Sequence, residues 1–191
     1  MNLIANPSNA EHTYPKFPSI ARYSRDIVIT EKLDGTNAQI FIDDLNENMY
    51  VGSRTRWLGP GKDDNYGFFN WCQENFDDLM ELGPGHHYGE WWGQGIQRKY
   101  GLNEKRFSLF NTFRWGVKED PPACCHVVPV LYEGRNDQDA IHDTLKDLEN
   151  IGSAAAPGFM NPEGIIIYHT KSKTYYKKTI QNDDQPKSLV Q

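Results

Sequence analysis

The sequence predicts an α+β fold in which short, mostly antiparallel strands outnumber the helices. Apolar runs of strand length recur along the chain and are separated by turns rich in Gly, Pro and Asp. Only residues 68–80 and 139–149 follow a helical pattern, and each lies between groups of strands. With 191 residues, 38% of them hydrophobic, one domain is expected over residues 1–181, followed by a polar tail at 182–191.

The first predicted element is a β-hairpin over residues 26–42. Two apolar runs flank Asp34-Gly35, and glycine accepts the positive φ that a tight turn requires. The segment at this turn, residues 31–37, also carries Lys32, which a turn alone does not need. Taken by itself, the segment also fits another interpretation, in which Lys32 is a solvated lysine on a surface hairpin.

The later elements follow the same patterns. Apolar side chains at helical spacing predict one amphipathic helix over residues 68–80, which Gly83-Pro84-Gly85 ends. A polar helix over residues 139–149 is expected to end at Gly152. Further strands are predicted at 48–57 (followed by a loop at 59–61), 87–92, 106–113, 126–132, 163–169 and 173–180, the last two forming an antiparallel pair.

Composition predicts a cytoplasmic protein without a membrane span. The apolar stretches are too short to cross a bilayer, and residues 1–10 lack the pattern of a signal peptide. Three cysteines cannot all pair within one chain, and they lack the spacing of a zinc site. The net charge of -6 does not exclude a nucleic-acid partner, because binding depends on local clusters of Lys and Arg.

Charged residues recur within the predicted strands, at Lys32, Glu90, Glu163 and the pair Lys177-Lys178. A buried lysine or glutamate costs several kcal/mol, roughly, unless it is paired or used by the protein. Each position has its own structural explanation, such as a strand edge or a solvated strand end. Together they predict side chains that converge in one cleft.

In their order along the chain, six segments resemble the motifs of covalent nucleotidyltransferases, and among these the phage-type nick-sealing RNA ligases. The resemblance implies an antiparallel-sheet-rich, ATP-grasp-like nucleotidyltransferase domain with flanking helices. The segments are Lys32-Leu33-Asp34-Gly35-Thr36-Asn37 (motif I), Ser53-Arg54-Thr55 (motif Ia), Tyr88-Gly89-Glu90-Trp91 (motif III), Phe107-Ser108-Leu109-Phe110-Asn111 (motif IIIa), Pro162-Glu163-Gly164 with the apolar run after it (motif IV) and Tyr175-Tyr176-Lys177-Lys178 (motif V).

The activity implied is ATP-dependent joining of 5′-phosphate and 3′-hydroxyl RNA ends through a lysyl-AMP and an adenylylated 5′-end. Lys32 would be the nucleophile, and Glu90 and Glu163 would hold Mg²⁺ or Mn²⁺ together with phosphates. Lys177 and Lys178 would favour the neutral amine that attacks phosphorus, because a nearby cation disfavours a second positive charge. They would also neutralise the α-phosphate.

Nucleotide and RNA contacts are implied for four further residues. Glu31 would line the adenine pocket and Phe110 would stack on adenine, although Phe110 and its apolar neighbours also fit a core strand. Asn37 would bind the nucleotide, and it stands where DNA ligases usually carry arginine, which favours RNA. Arg54 would bind the RNA 5′-phosphate. Strand alternation places Arg56 on the same face, so only the family register favours Arg54.

Several expectations concern the rest of the molecule. Only 13 residues follow Lys178 (191 − 178), so neither a C-terminal OB domain nor a helical domain is expected, and a protein partner is a candidate for presenting the RNA. The two motif V lysines are adjacent, although the family pattern separates them by one residue, which leaves the role of Lys178 open. Two basic pairs, Arg98-Lys99 and Lys105-Arg106, mixed with Trp91, Trp92 and Tyr100, are either a guide for RNA or part of a solvated loop.

Two other functions remain open at this stage. One is an adenylyl- or guanylyltransferase that performs only the first step or steps. The other is a noncatalytic nucleic-acid-binding module, which has no need of Lys32, Glu90 and Glu163 together.

Overall fold

A computed structural model of the chain describes residues 16–60 and 64–184. Residues 1–10, Gly61 and most of the predicted tail lie outside the described residues. The predicted α+β fold is confirmed. The strands are β1 (Asp26–Lys32), β2 (Thr36–Asp43), β3 (Asn48–Ser53), β4 (Gly85–Gly93), β5 (Lys105–Leu109), β6 (Cys125–Val127), β7 (Val130–Arg135), β8 (Gly164–His169) and β9 (Thr174–Thr179), and the helices are α1 (Phe68–Glu74), α2 (Phe76–Met80) and α3 (Gln138–Ile151).

The strands form two sheets. The first sheet has the order β7-β1-β8-β9 and the second has the order β3-β2-β4-β5-β6. All neighbouring strands are antiparallel except β5 and β6. The hairpin predicted over residues 26–42 is therefore wrong. Both edges of β1 are already occupied, by β7 and β8, so β2 pairs elsewhere and Leu33–Gly35 connects one sheet to the other.

Each sheet buries one face against helices. In the first sheet, Ile27, Ile29 and Ile165 are completely buried in a cluster with Ile141 and Leu148 of α3. Because strand residues alternate between faces, the intervening side chains of β1 and β8 point the other way. Burying each isoleucine contributes about 1.5–3 kcal/mol.

The second sheet packs on the two shorter helices. Ile40 of β2 and Phe107 of β5 are completely buried with Phe68, Cys72 and Leu79 of α1 and α2. The opposite faces of the two sheets border a common cleft. Two apolar clusters on the outside of the sheets thus hold the polar faces toward each other.

Several predicted boundaries differ from the structure. The helix predicted over residues 68–80 is two helices, because Asn75 leaves helical geometry and its side chain donates to the Trp71 carbonyl at 2.8 Å. The strand predicted over 126–132 divides into β6 and β7, which belong to different sheets. The strand predicted over 106–113 ends at Leu109.

The strand predicted over residues 48–57 also ends early, at Ser53. There the Ser53 N–H donates to the Arg56 carbonyl at 2.9 Å, which closes a tight turn, and Gly52 then faces Trp57 in an antiparallel bridge.

In the described part of the chain, no helix is long and apolar enough to cross a membrane. Cys72, Cys124 and Cys125 are free thiols.

Candidate active site

A cleft of about 1190 Å³ lies between the open faces of the two sheets. The first sheet contributes Lys32 at the end of β1 and Lys177 of β9, and the second sheet contributes Asn37 of β2 and Glu90 of β4. The structure thus brings together side chains from distant parts of the sequence. The predicted site residues that border the cleft are Glu31, Lys32, Asn37, Arg54, Glu90, Phe110 and Lys177.

Lys32 is joined to Glu163, which completes the charged centre. The Lys32 Nζ donates to Glu163 Oε2 at 2.5 Å, and Glu163 is only 2% exposed. Glu163 directly precedes Gly164, the residue opposite Lys32 in the β1–β8 register. Gly164 has a φ of 153°, and a Cβ there would lie 2.3 Å from the Lys178 carbonyl oxygen. Glycine therefore lets β9 pair closely with β8, and Lys177 of motif V borders the same cleft as Lys32.

Glu90 holds the connection between the sheets. Its Oε1 accepts from the Gly35 N–H at 3.1 Å and its Oε2 accepts from the Asn37 Nδ2 at 3.2 Å. Burial raises the pKa of Glu90 to about 7, although nearby Lys32 opposes the shift. Glu90 is thus a buried carboxyl group that titrates near neutral pH beside the predicted nucleophile.

Asp34 is anchored from two directions. Its N–H donates to the Tyr100 hydroxyl at 2.8 Å, and its carboxylate accepts from Arg98 Nε at 3.0 Å. The Arg98 Nη1 also donates to the Asn161 side-chain oxygen at 2.8 Å, two residues before Glu163. Arg98 therefore ties the motif I turn to the segment that carries Glu163. Neither prediction made for residues 98–106, an RNA guide or a solvated loop, anticipates this link.

The carboxylate of Glu31 points away from Lys32. Its Oε1 accepts from the Ser153 hydroxyl at 2.6 Å and its Oε2 accepts from the Ala155 N–H at 2.9 Å. Glu31 is 1% exposed, and burial raises its pKa. Although the residue borders the cleft, its side chain holds the loop after α3. The prediction that Glu31 lines an adenine pocket is not supported by this orientation.

The two candidate arginines are separated by the turn at residues 53–56. Arg54 borders the cleft, whereas Arg56 is not among the residues that line it. The expectation that strand alternation places both on one face is wrong, because the strand ends at Ser53. Arg54 is exposed and forms no hydrogen bond or ion pair with the residues that the structure describes, so its guanidinium is available for a phosphate.

The apolar residues of motif IIIa, and Phe113 just after it, differ in how deeply they are buried. Phe107 and Leu109 are buried in β5, at 0% and 1% exposure. Phe110, 40% exposed, and Phe113, 49% exposed, border the cleft. The interpretation as core residues therefore holds for Phe107 and for the buried Leu109, which also borders the cleft, whereas Phe110 presents an exposed ring to the cleft.

The adjacent motif V lysines point in opposite directions. Lys177 lies opposite Ile166 in the β8–β9 register, and both border the cleft. Lys178 pairs with Asp183 at 3.1 Å and does not line the cleft. Its position does not support the predicted catalytic role for Lys178.

The donor set suits a hard divalent cation that also binds phosphate. Glu163 and Glu90 supply carboxylate oxygens, the ligand type that Mg²⁺ and Mn²⁺ prefer. Within residues 16–60 and 64–184, no group of three or more His, Cys, Asp or Glu forms a preassembled metal cluster. One or two carboxylates fit the way Mg²⁺ is usually held, with substrate phosphates completing its coordination.

Comparison with known proteins identifies both the family and the fold. The family model for RNA ligase matches residues 25–182. Two structures of a Naegleria gruberi RNA ligase with ATP and Mn match with TM-scores of 0.64 and 0.63, at 18% and 17% identity, each over 83% of this chain and 51% of theirs. A third, with AMP and Mn, has a TM-score of 0.62 at 17% identity, over 82% of this chain and 50% of its own.

At these identities the solved structures show a shared fold. The chain spans about half the length of the ligase chains that it matches. No curated protein sequence matches it. The family match covers nearly all of the described residues and confirms the resemblance seen in the motifs; the chain belongs to the RNA ligase family.

Proposed function

We propose that this chain is an ATP-dependent RNA ligase, with residues 1–181 as the catalytic domain, that forms a covalent lysyl-AMP on Lys32. The observation that carries the proposal is the pair formed by Lys32, which borders the cleft, and the buried Glu163, with Glu90 bonded to the same motif I segment. A half-buried amine near two carboxyl groups, with a second lysine on the same cleft, is an arrangement that a noncatalytic binding module does not require.

In the first step the Lys32 amine must leave Glu163 and lose its proton before it attacks. The Lys32 nitrogen forms a bond to the α-phosphorus of ATP, and the bond from that phosphorus to the bridging oxygen of pyrophosphate breaks. Lys177, on the cleft wall formed by β9, neutralises charge on the α-phosphate. Mg²⁺ or Mn²⁺, held by Glu163 and Glu90 with phosphates, would supply further charge neutralisation.

The second and third steps use the RNA ends. The 5′-phosphate oxygen attacks the lysyl-AMP phosphorus, the Lys32 nitrogen leaves, and the RNA gains a 5′-5′ pyrophosphate link to AMP. The 3′-hydroxyl of the other end then attacks the RNA phosphate, and AMP departs. Arg54 holds the 5′-phosphate with its guanidinium fork, and Phe110 stacks on adenine beside Asn37.

The biological setting that fits this chemistry is repair of RNA breaks by a phage-type enzyme in the cytoplasm. The Naegleria structures contain about as much chain again outside the region that matches. A partner protein that helps to present the RNA ends is also part of the proposal.

The test is covalent labelling followed by sealing. The purified protein is incubated with Mg²⁺ and radiolabelled ATP or GTP, and one portion is separated under denaturing conditions to detect the adduct. A second, native portion is supplied with RNA that carries a 5′-phosphate and a 3′-hydroxyl, either as a nicked duplex or as single-stranded ends. An AMP adduct that is absent in Lys32→Ala and Lys32→Arg, together with sealing, is the expected result. Lys32→Arg is the matched control, because it keeps the positive charge opposite Glu163 without a nucleophilic amine.

The other outcomes each point to another function. A GMP adduct would indicate a guanylyltransferase, and an AMP adduct without sealing would indicate an enzyme of the first step only. No adduct, in protein shown to be free of bound AMP, would contradict an enzymatic role.

A further inference from the structure

Five aromatic rings form a continuous surface on the second sheet, which we call the aromatic track. The rings of Tyr50 and Trp57 lie 6.0 Å apart, and those of Trp57 and His86 lie 6.4 Å apart. His86 is 4.5 Å from Phe41 and 5.8 Å from Tyr88, the latter pair being almost parallel at 6°. The members of the track are Phe41, Tyr50, Trp57, His86 and Tyr88.

Sheet register builds this surface. Phe41 of β2 lies opposite Tyr50 of β3 on one side and His86 of β4 on the other, so the three side chains form one row on one face. Trp57 reaches the row by lying over Gly52. A Cβ at Gly52 would lie 2.8 Å from the Gln39 Cγ and 3.0 Å from the Trp57 ring, so glycine leaves room for the indole beside the strand.

The track is exposed and chemically uniform. Tyr50 is 46% exposed, Trp57 52% and Tyr88 53%. Its members are flat rings, and all but Phe41 carry a polar edge. Contiguous exposed rings of this kind commonly mark an interaction surface. A flat face with hydrogen-bonding edges matches nucleobases, and antiparallel sheets that display aromatic side chains stack two or three RNA bases.

The track leads out of the cleft. His86 and Tyr88 border the cleft, and the Phe110 N–H donates to the Tyr88 carbonyl at 2.9 Å. Arg54, in the turn just before Trp57, also borders the cleft. Cationic Arg54 therefore lies where the aromatic track meets the cleft. An RNA strand with one end in the cleft would place its terminal phosphate there. This charge and this continuity favour an RNA strand over a protein as the occupant.

We propose that the aromatic track stacks the unpaired bases that follow the 5′-phosphate of the RNA substrate. The inference rests on the proposed function, because that function places the 5′-phosphate at Arg54. It also defines a substrate class: a 5′-end whose first few bases are single-stranded, since the faces of paired bases are covered by their neighbours in the duplex.

The test compares two ligands that share a backbone. Binding of a 5′-phosphorylated single-stranded RNA of about 12 nucleotides, within the known range of single-strand site sizes, is measured by fluorescence anisotropy. The second ligand has the same length and 5′-phosphate but abasic residues after the first nucleotide. Because phosphate contacts are common to both ligands, the ratio of the two Kd values reports base stacking alone.

The variants are Tyr50→Ala and Trp57→Ala, whose positions lie outside the cleft lining. Each is expected to weaken binding of the complete RNA about fivefold or more, the lower end of one lost base–aromatic stack, and to leave binding of the abasic ligand unchanged. Trp57→Phe should keep most of the affinity. Tyr176→Ala removes a tyrosine of equal exposure (56%) from β9 and should bind both ligands like the wild type.

Two results would overturn the inference: wild-type affinity for the complete RNA in both alanine variants, or an equal loss on the abasic ligand. AMP labelling of the same proteins separates this question from the proposed function. The variants should label like the wild type if the track acts only on RNA. Failure of the wild type to label would overturn the proposed function, whereas the ratio of Kd values would still decide whether the track stacks bases.

Discussion

The buried carboxyl group of Glu90 gives the stability of this protein a specific pH dependence. Burial raises its pKa from the ordinary value of 4.5 to about 7. A carboxyl whose pKa is raised on folding favours the folded state while it is protonated. Its contribution is fully present below pH 4.5 and is lost as the pH rises toward 7.

The magnitude follows from the two pKa values. One unit of difference in pKa corresponds to about 1.4 kcal/mol, so ionisation of Glu90 costs the folded state about 3 kcal/mol in all. Between pH 5 and pH 8 the free energy of unfolding should fall by about 2–3 kcal/mol because of this group. Glu90→Gln removes the titration. It also loses one of the two hydrogen bonds from Gly35 and Asn37, but that cost does not change with pH.

The assay is urea unfolding of the wild type and Glu90→Gln at pH 5 and pH 8. The decrease in the free energy of unfolding between the two pH values should be about 2–3 kcal/mol smaller in the variant than in the wild type. Both proteins share all the other titrating groups, so the contributions of those groups to the pH dependence cancel in the comparison. Equal decreases in the two proteins would refute the reasoning and would mean that Glu90 is already ionised at pH 5.

Three further predictions concern the cleft. Lys177→Ala should slow lysyl-AMP formation on the order of 100-fold in single-turnover labelling, whereas Lys178→Ala should leave the rate near the wild-type value. A larger rate loss in Lys178→Ala than in Lys177→Ala would contradict the orientation of β9. Arg98→Ala should lower the free energy of unfolding by about 1–3 kcal/mol in urea titrations, because the Asp34 carboxylate loses its ion pair with the guanidinium group. An unchanged free energy of unfolding would show that this pair does not stabilise the protein. Removing divalent metal with EDTA should abolish AMP labelling, and added Mg²⁺ or Mn²⁺ should restore it; labelling that persists in EDTA would argue against the role given to Glu163.

Local patterns predicted which segments are strands better than how the strands pair. The Asp34-Gly35 turn is typical of a hairpin, but the partners of β1 are β7 and β8, more than 90 residues away in sequence. Pairing at that distance depends on the whole sheet, so the turn sequence alone did not reveal it. The break at Asn75 was missed for a related reason, since helical spacing of apolar residues continues across it.

For the site, charged residues within the predicted strands indicated the convergence of Lys32, Glu90 and Lys177 on one cleft. It did not predict side-chain direction where the backbone departs from regular geometry. The sequence predicts that Arg54 and Arg56 share one strand, but a tight turn separates them. Nothing local in the sequence indicates that Arg98 reaches Asp34 across 64 residues, so the sequence predicts no more than a cation for Arg98.

The most direct test of the central proposal is peptide mapping of the covalent adduct. The protein is incubated with ATP and Mg²⁺, digested, and analysed by tandem mass spectrometry to locate AMP on a single residue. We expect AMP on the Lys32 side chain. AMP on any other residue, or none on protein shown to be free of nucleotide beforehand, would contradict Lys32 as the nucleophile and with it the mechanism proposed for this cleft.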